Sequence, residues 1–390
     1  MAKLICSKCQ EVYEAKGQDK CPACKAGSRH LFNFKNSDSY LKKKIPRVLE
    51  ERRKAGLEGL VGGLEAVIIN TEPNLQKLTV KEFLRYTGME FDHAFQNANF
   101  KTCVLKNHGS ADFLIRSRLH RTNPFLGVNR FPKSKILPNT RLETFVFGIN
   151  DLEKYVSIQK SRRVKFLTRD IVQTSEYSFI QTKPSALTGN SIGFIQWKSK
   201  KGNYIDTKSE ALGWHFDKPK KSHLKNIGFL DHAATRVEAE DRDAAILEFM
   251  ELTNYRFDFA IYVKPLNSIT NVARLSASDF SMVFTSGISP YVNDKSSGPT
   301  EKFLHNYGPR VHHLAFRTKH IEDTFAAVKK DGLRFLIELV GSPSEGLKQT
   351  FTQPSKNTFL VNEYIHRYGD FDGFFTKSNV TLLTAATDKQ

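Results

Sequence analysis

Four of the five cysteines lie close together and form two Cys-x-x-Cys pairs. The first pair is Cys6 and Cys9 and the second is Cys21 and Cys24, with eleven residues between the pairs. Each pair offers two sulfur atoms from one tight turn, so the two turns together can surround a metal ion with four thiolates. The spacing predicts a tetrahedral four-cysteine metal site rather than two disulfides. The fifth, Cys103, lies in the apolar segment FKTCVL and is predicted to be a core residue.

Two histidines and one glutamate form a second group with metal chemistry. His232 and His313 each lie near the start of a short apolar segment, and Glu363 lies in the segment TFLVNEYIHR. Strand alternation would direct these three side chains to one face of a sheet, with His312 pointing the other way. Two imidazoles and a carboxylate form a facial triad, which leaves positions on Fe(II) open for substrate and dioxygen. Satisfied core histidines are the alternative interpretation, although a metal ion would offset the cost of a buried glutamate.

The elements that must position these residues form a pattern that occurs four times. Each copy has a short apolar strand, a turn, an amphipathic helix and a strand that begins near a phenylalanine. From the second residue of each first strand to that phenylalanine the separations are 26, 23, 25 and 22 residues, for Glu65 to Phe91, Glu143 to Phe166, His232 to Phe257 and His313 to Phe335. The alternation of long and short separations predicts a duplicated pair of units.

The sequence therefore predicts an α+β fold with two domains, each built from two βαβββ units, and a small four-cysteine domain before them. The predicted boundaries are 1–35 for the cysteine domain, 36–59 for a basic helical connector, 60–200 for the first pair of units, 201–226 for a Lys-rich linker and 227–390 for the second pair. At the positions where the first pair of units has Glu65 and Glu143, the second pair has His232 and His313. We therefore expect the metal chemistry in the second pair.

The chain of 390 residues has 59 Lys and Arg against 41 Asp and Glu, and this excess is unevenly placed. Residues 231–390 contain 18 basic and 20 acidic residues, which leaves 41 basic and 21 acidic residues in 1–230. Such a basic half indicates an anionic partner such as nucleic acid, or else a Lys-rich solvated surface.

The composition also excludes several classes of protein. With 30 Phe and 12 Tyr the chain must bury a core, so disorder is excluded as its dominant state. No segment approaches the roughly 18 apolar residues of a membrane span. The first cysteine comes before any signal-peptide core could form. We therefore expect a soluble cytoplasmic protein, and the sequence leaves its oligomeric state open.

The cysteine segment LICSKCQEVYEAKGQDKCPACKAGSRHLF resembles zinc ribbons and also the rubredoxin-like domains of rubrerythrins. The first resemblance implies a structural Zn(II) and the second implies iron. Rubredoxin-like sites commonly have glycine after each cysteine pair, whereas Gln10 and Lys25 stand there in this chain. This difference favours zinc, and iron stays open as the alternative.

Residues 227–385 resemble the vicinal-oxygen-chelate superfamily and, within it, the 4-hydroxyphenylpyruvate dioxygenase-like branch. The motifs that carry the resemblance are GFLDHAATRV, FLHNYGPRVHHLAFRT, LKQTFTQP and NTFLVNEYIHRYGDFDGFF. Over residues 60–200 the resemblance rests on architecture. It implies that His232, His313 and Glu363 bind Fe(II). It also implies a pocket glutamine, a phenylalanine over the site and an asparagine after it, here Gln349, Phe374 or Phe375, and Asn379.

Two departures from the family concern the substrate. The family's LNEP loop after the third unit reads FTSGISP here, so polar contacts to the family's substrate are missing. The connection between His313 and Glu363 is also shorter than in true hydroxyphenylpyruvate dioxygenases. Arg274, in NSITNVARLS, falls near a pocket-lining strand position and could bind a carboxylate, or else form a surface ion pair.

The resemblance thus implies an Fe(II)-dependent dioxygenase that oxidises a keto acid or related oxo-acid with O₂. Two alternatives stay open. One is another metalloenzyme of the same superfamily, such as an extradiol dioxygenase, a lyase or an isomerase. The other is a binding protein whose cysteine site and basic half contact nucleic acid or a partner protein.

Overall fold

The computed structural model of the chain describes residues 3–6, 8–9, 12–14, 20–26, 31–32, 34–369, 371 and 373–390. The first part is a small antiparallel sheet followed by a long helix. Its elements are β1 (Lys3–Cys6), β2 (Val12–Glu14), β3 (Leu31–Phe32) and α1 (Ser39–Lys54). Strand β1 lies between β2 and β3. No helix within the described ranges is long and apolar enough to cross a bilayer.

The first half of the remaining chain forms one mixed sheet of nine strands with two helices. In chain order its elements are β4 (Val61–Asn70), α2 (Gln76–Tyr86), β5 (Glu90–Gln96), β6 (Phe100–Lys106), β7 (Asp112–Arg118), β8 (Arg141–Ile149), α3 (Leu152–Ser161), β9 (Val172–Gln173), β10 (Tyr177–Gln181), β11 (Ser191–Trp197) and β12 (Glu210–Ala211). The strand order is β12-β5-β6-β7-β4-β8-β11-β10-β9.

The second half forms a mixed sheet of eight strands with four helices. Its elements are β13 (Ile227–Arg236), α4 (Arg242–Leu252), β14 (Arg256–Val263), β15 (Ser268–Arg274), β16 (Ser281–Gly287), α5 (Pro299–Tyr307), β17 (Arg310–Thr318), α6 (Ile321–Lys330), β18 (Val340–Ser342), β19 (Leu347–Phe351), β20 (Val361–Arg367) and α7 (Lys377–Ala386). The strand order is β14-β15-β16-β13-β17-β20-β19-β18.

Apart from the added edge strand β12, the two large sheets have the same strand order. In each, the first strands of the two units pair antiparallel at the centre, β4 with β8 and β13 with β17. Each of these four strands also pairs in parallel with the last strand of its own unit. The predicted α+β fold of two βαβββ pairs is therefore confirmed.

The largest apolar cluster contains residues of both halves, so the two sheets share one core. Phe113 contacts Phe316 across it, with ring centroids 6.0 Å apart. The residues predicted as a linker, 201–226, connect the halves and also pack onto the first sheet. Tyr204 is buried there, and its hydroxyl donates to Asp112 Oδ2 at 2.9 Å. Tyr204 thereby joins the apolar cluster that fills the inner face of the first sheet.

Three register shifts interrupt the ladder between β13 and β17, and two of them are β-bulges beside His232 and His313. The residue pairs Leu230–Phe316 and His232–Ala315 show that Asp231 is an extra residue on β13. In the same way, His312 is an extra residue on β17, because Ala234 pairs with His313 and Thr235 pairs with Val311. A bulge changes the direction of side chains locally, so strict alternation fails at Asp231 and His312.

The ladder between β4 and β8 has bulges at the matching places, with Glu65 and Glu143 as the extra residues. These two glutamates therefore correspond to Asp231 and His312. The prediction that they occupy the positions of His232 and His313 is wrong by one residue, because the bulges shift the register. The first-sheet residues that correspond to His232, His313 and Glu363 are Ala66, Thr144 and Gly193.

Arg52 attaches helix α1 to the second half of the chain. Its side chain is buried, and Nη1 donates to the carbonyl oxygens of Met250, Thr253 and Tyr255 at 3.2, 2.9 and 3.0 Å. Its Nε donates to Glu58 Oε2 at 2.9 Å. One guanidinium therefore satisfies carbonyls at the end of α4 and in the turn that follows.

Replacing Arg52 by Ala should lower the free energy of unfolding by about 3–5 kcal/mol, because three buried carbonyls lose their donor. Urea unfolding followed by tryptophan fluorescence measures the change. The matched control is Arg53→Ala, since Arg53 is exposed and pairs with Glu50 on the helix surface. The control should change the stability by no more than about 0.5 kcal/mol. Equal effects of the two substitutions would contradict this role of Arg52.

Candidate metal centres

His232, His313 and Glu363, called the metal triad from here on, meet on the inner face of the second sheet. They come from the adjacent strands β13, β17 and β20, and Ala315 of β17 pairs with both His232 and Glu363. Glu363 Oε2 lies 3.1 Å from His232 Nε2 and 3.2 Å from His313 Nε2. All three side chains are buried, and one donor atom from each lies within 4.8 Å of the others.

The bulge residue Asp231 orients the first imidazole. Asp231 Oδ1 lies 2.9 Å from His232 Nδ1, and the carboxylate also accepts from Arg367 at 2.5 and 3.0 Å. Burial opposes ionisation of Asp231, but His232 and Arg367 outweigh it and hold its pKa well below the usual range. An ionised Asp231 requires a proton on His232 Nδ1, which leaves Nε2 to face Glu363.

The other bulge residue, His312, orients the second imidazole. Its Nδ1 lies 2.9 Å from His313 Nδ1, and its Nε2 lies 3.0 Å from Gln390 Oε1. Burial lowers the pKa of both histidines well below the usual range, so both are neutral. With the Gln390 amide in this orientation, its oxygen accepts the Nε2 proton of His312, and His312 Nδ1 then accepts from His313 Nδ1. His313 therefore presents the lone pair of its Nε2 to Glu363.

The carboxylate of the triad is also held by a dedicated partner. Gln349 Nε2 donates to Glu363 Oε1 at 2.5 Å, and Asn379 Nδ2 donates to Gln349 Oε1 at 3.1 Å. The second carboxylate oxygen, Oε2, is the atom that faces both imidazoles. Gln349 and Asn379 thus fix the orientation of Glu363.

The donor atoms of the triad are of the types that hold a divalent cation. Burial lowers the pKa of His232, but Glu363 and Asp231 outweigh it and raise the pKa to about 9. In the metal-free protein at neutral pH, both ring nitrogens of His232 therefore carry a proton, and the imidazole faces Glu363 as a cation. The lone pair of His313 Nε2 faces the same oxygen without a proton between them. A metal ion would replace the proton of His232 and remove this repulsion, and two imidazoles with one carboxylate are typical ligands of non-haem Fe(II).

Two phenylalanines before helix α7 pack against the triad. The rings of Phe374 and Phe375 contact the His232 ring with centroid distances of 5.4 and 5.2 Å. Beside the triad lies a cavity of about 40 Å³, to which Phe375, Val380 and Leu383 contribute an apolar wall. Helix α7 therefore covers the triad. A larger cavity of about 460 Å³ lies between the two halves, and the residues that line it include none of the triad.

Arg274 does not reach this cavity. Its guanidinium pairs with Asp258 on the neighbouring strand β14 and lies 5.7 Å from the Phe374 ring centroid. It lines a separate cleft together with Arg317 and Arg367. The ion pair with Asp258 satisfies the Arg274 charge, so the geometry agrees with the surface ion pair and not with a carboxylate-binding role at the triad.

The four cysteines come together as a second candidate centre. Cys6 Sγ lies 3.6 Å from Cys24 Sγ, and Cys9 Sγ lies 3.5 Å from Cys21 Sγ. All four sulfur atoms lie within 4.8 Å of one another. These separations exceed the length of a covalent S–S bond, so the four cysteines are not joined in disulfides and the alternative of two disulfides is wrong.

Local backbone geometry brings the second cysteine pair into this cluster. Lys25 has φ +58°, a left-handed conformation that glycine adopts more easily. Its amide donates to the carbonyl of Cys21 at 2.9 Å. Burial raises the pKa of Cys21, but the backbone amide of Cys24 and the thiol of Cys9 outweigh it and lower the pKa to about 7. Lys25 thus adopts the turn for which rubredoxin-like sites use glycine, and the turn favours thiolates.

Cys103 lies apart from this cluster. It is fully buried in the core, and burial raises the pKa of its thiol to about 12. The prediction that it is a core residue is confirmed.

Sequence reasoning missed the residues that orient the triad. Alternation predicts that His312 points away from His313, and this prediction is wrong because the bulge in β17 brings both imidazoles together. The link from His312 to Gln390 joins residues 78 positions apart and has no local signal. The Asp-His pair at 231 and 232 is visible in the motif GFLDHAATRV, whereas the contact by which Asp231 orients His232 appears only in the structure.

Two mixed sheets of paired βαβββ units, with a metal triad on one of them, define a vicinal-oxygen-chelate fold. The chain is similar to a triple mutant of 4-hydroxymandelate synthase from Streptomyces coelicolor, with TM-score 0.65, 14% identity, and coverage of 85% of this chain and 99% of that one. It is also similar to a xylose isomerase-like TIM barrel/4-hydroxyphenylpyruvate dioxygenase fusion protein, with TM-score 0.58, 14% identity, and coverage of 90% of this chain and 57% of the fusion. The sequence matches no protein-family model and no curated protein. At this identity the likeness shows the fold alone.

Metal binding at the triad should release a proton, because His232 carries one extra proton below its pKa of about 9. The apparent affinity for Mn²⁺, which thiolates bind weakly, should rise about tenfold per pH unit between about pH 6.5 and 8.5. Calorimetric titrations in buffers of different ionisation enthalpy measure the protons released, and we expect about one per Mn²⁺. Asp231→Asn should reduce both the proton release and the pH slope. A pH-independent affinity in the unsubstituted protein would contradict the assigned protonation.

The two candidate centres should lose their metals independently, since they use separate ligands. After reconstitution with Fe²⁺ and Zn²⁺, His313→Ala should remove about one metal per chain and Cys9→Ser should remove the other. Elemental analysis measures both metals and assigns zinc or iron to each centre. Cys103→Ala is the matched control, because Cys103 is a buried core thiol outside the cluster. Loss of both metals from either ligand variant would contradict two separate centres.

Proposed function

We propose that the chain is a non-haem Fe(II)-dependent dioxygenase that oxidises a keto acid or related oxo-acid with O₂. The observation that carries this proposal is the buried metal triad, whose donor atoms lie within 4.8 Å of one another. The fold shared with 4-hydroxymandelate synthase and with a 4-hydroxyphenylpyruvate dioxygenase fusion supports it. We also propose that the cysteine cluster holds Zn(II) or iron as a separate centre.

His232, His313 and Glu363 would hold the iron from one side and leave up to three positions for the oxo-acid and dioxygen. Bound Fe(II) would supply the activation of O₂, of which one atom enters the carboxylate left after loss of CO₂ and the other enters the oxidised carbon. The residues around the triad prepare this geometry. Asp231 keeps the Nδ1 proton on His232, and Gln349 keeps Glu363 Oε1 engaged, so Oε2 is the oxygen directed at the metal position.

The aromatic side chains and helix α7 would exclude water from the reaction. Phe374 packs with Ala234, Val272 and Val283 on the inner face of the sheet, directly beside His232. Phe375 lines the cavity that α7 covers. A dry cavity strengthens electrostatic interactions and protects a reactive site from side reactions. The proposed role of Phe374 and Phe375 is therefore shielding and substrate packing, and that of Gln349 and Asn379 is to position Glu363.

Anaerobic addition of a keto acid to the Fe(II)-loaded protein should give a weak charge-transfer absorption band, and O₂ should then be consumed with release of CO₂. Glu363→Ala should abolish the band and lower O₂ consumption at least about 100-fold, because one of three ligands is lost. The matched control is Glu338→Gln, since Glu338 is an exposed carboxylate that pairs with Lys329. If no keto acid gives a band with the loaded protein, the proposal fails, and a different reaction of this superfamily, such as that of an extradiol dioxygenase, lyase or isomerase, takes its place.

A further inference from the structure

Arg236 brings a buried positive charge to the cavity beside the metal triad. It is the last residue of β13 and lies on the same face as His232, four residues along the strand. Its side chain is 4% exposed. Its Nη2 donates to Thr387 Oγ1 at 2.9 Å, and its Nη1 reaches the carbonyl of Pro299 at 3.4 Å. The guanidinium carbon lies 4.5 Å from the centroid of the Phe303 ring.

Within the part of the chain that the structure describes, no carboxylate forms an ion pair with Arg236. Glu301 is the acidic group that acts on its charge, but Glu301 Oε1 accepts from the amide of Gly287 at 2.7 Å and faces another cavity. Arg242, which is equally buried, pairs with Asp38 at 2.6 Å. A buried guanidinium has five N–H groups, and the two neutral acceptors leave part of this capacity for an anion.

Hydroxyl groups surround the same end of the cavity. Thr270, Thr285 and Thr300 line it together with Arg236, and Thr285 Oγ1 has no hydrogen-bond partner in the structure. His313 and Glu363 also line the cavity, and the strand register places Glu363 level with His232, four residues from Arg236 along β13. The cavity therefore has a metal-binding end and a cationic, hydroxyl-lined end.

The size of the cavity limits the distance between these two ends. Four residues of an extended strand place the Cα atoms of His232 and Arg236 about 13 Å apart, and both side chains project from the same face of the sheet. The cavity beside the triad measures about 40 Å³. This volume is room for only a few water molecules, so a substrate that spans from the metal position to the guanidinium must be short, and it must displace the wall formed by Phe375 and helix α7.

We propose that Arg236 binds the second acidic group of the substrate, which makes the substrate a short dicarboxylic oxo-acid. This inference rests on the proposed function for the metal end of the molecule. The oxo-acid group would lie at the triad, and the distal carboxylate would accept charge-assisted hydrogen bonds from Arg236 and hydrogen bonds from the threonine hydroxyls. An uncharged aromatic end would leave the guanidinium without a counter-charge in a buried site. Arg236 thus takes the carboxylate-binding role that the sequence suggested for Arg274.

The first experiment measures the anion site without iron. Glutarate, which has two carboxylates and no keto group, is titrated calorimetrically into the metal-free protein, with its uncharged diamide as the comparison. Glutarate should bind at least about tenfold more tightly than the diamide, because only a carboxylate supplies the counter-charge of Arg236, and Arg236→Gln should remove this difference. Arg274→Gln is the matched comparison, because Asp258 already neutralises Arg274. A glutarate preference that persists in Arg236→Gln, or is lost only in Arg274→Gln, would overturn the inference.

The second experiment uses the Fe(II)-loaded protein without oxygen. The charge-transfer band should appear at concentrations of 2-oxoglutarate or 2-oxoadipate about 10- to 100-fold lower than those of 2-oxobutanoate, and this advantage should disappear in Arg236→Gln. Equal titration by all three acids would overturn the inference and leave the proposed dioxygenase intact. If glutarate binding depends on Arg236 but no keto acid gives a band, the result supports the anion site and contradicts the proposed function.

A second variant, Arg236→Lys, distinguishes a structural role of Arg236 from a role in binding the acid. Arg236 also ties strand β13 to Thr387 and to the first residue of α5, so Arg236→Gln could lower the melting temperature. Arg236→Lys keeps the charge and loses the planar fork, so it should keep the preference for glutarate at a reduced level. If Arg236→Lys and Arg236→Gln lose the preference equally while Arg236→Lys melts like the unsubstituted protein, the charge is not what binds the acid and the inference fails.

Discussion

Glu363 is a buried carboxylate, and one of its two oxygen atoms, Oε2, lies 3.1 and 3.2 Å from the imidazole nitrogens of His232 and His313. Such an arrangement is stable only if positive charge lies among the three groups. In the metal-free chain the proton on His232 supplies that charge, and in the proposed holoenzyme Fe(II) would supply it. The surrounding contacts follow from this requirement, because each of the three side chains needs a partner that holds it with its lone pair turned inward.

The two halves of the chain show how small the difference is between a metal site and an apolar core. Apart from the edge strand β12, both sheets have the same strand order, and their central ladders have register shifts at the same places. In the second sheet the bulges carry Asp231 and His312, which orient the ligands beside them. In the first sheet the bulge residue Glu143 pairs with Arg118 at 2.7 Å. There the inner face is filled by an apolar cluster that includes Tyr204, so the first half contributes packing and the basic surface, away from the triad.

Hydrogen bonds also connect the metal position to distant parts of the fold. His312 links His313 to Gln390, while Gln349 links Glu363 to Asn379 on helix α7. Arg236 reaches the same region through Thr387. Helix α7 and the residues after it therefore cover the cavity and also hold the ligands in place. Any movement of this segment would change ligand orientation and access together.

Much of this could be predicted from local sequence patterns. The spacing of the Cys-x-x-Cys pairs identified the cysteine cluster, since two tight turns suffice to bring four sulfur atoms together. The repeated strand, helix and phenylalanine pattern identified the βαβββ units, because burial of alternate or helically spaced apolar residues leaves a local signal. The motifs around His232, His313 and Glu363 pointed to three side chains on one face, and the structure brings these three together.

What the sequence by itself determined is therefore the set of elements and the residue types with metal chemistry. Only the tertiary structure decided their register, because a bulge is defined by the partner strand and not by the strand that contains it. It moved His312 beside His313, assigned Glu65 and Glu143 to bulges, and took Arg274 away from the cavity. It also brought Arg236 into the cavity without a carboxylate partner among the described residues. Charge compensation across a core depends on contacts between residues far apart in the chain, and local patterns carry no record of them.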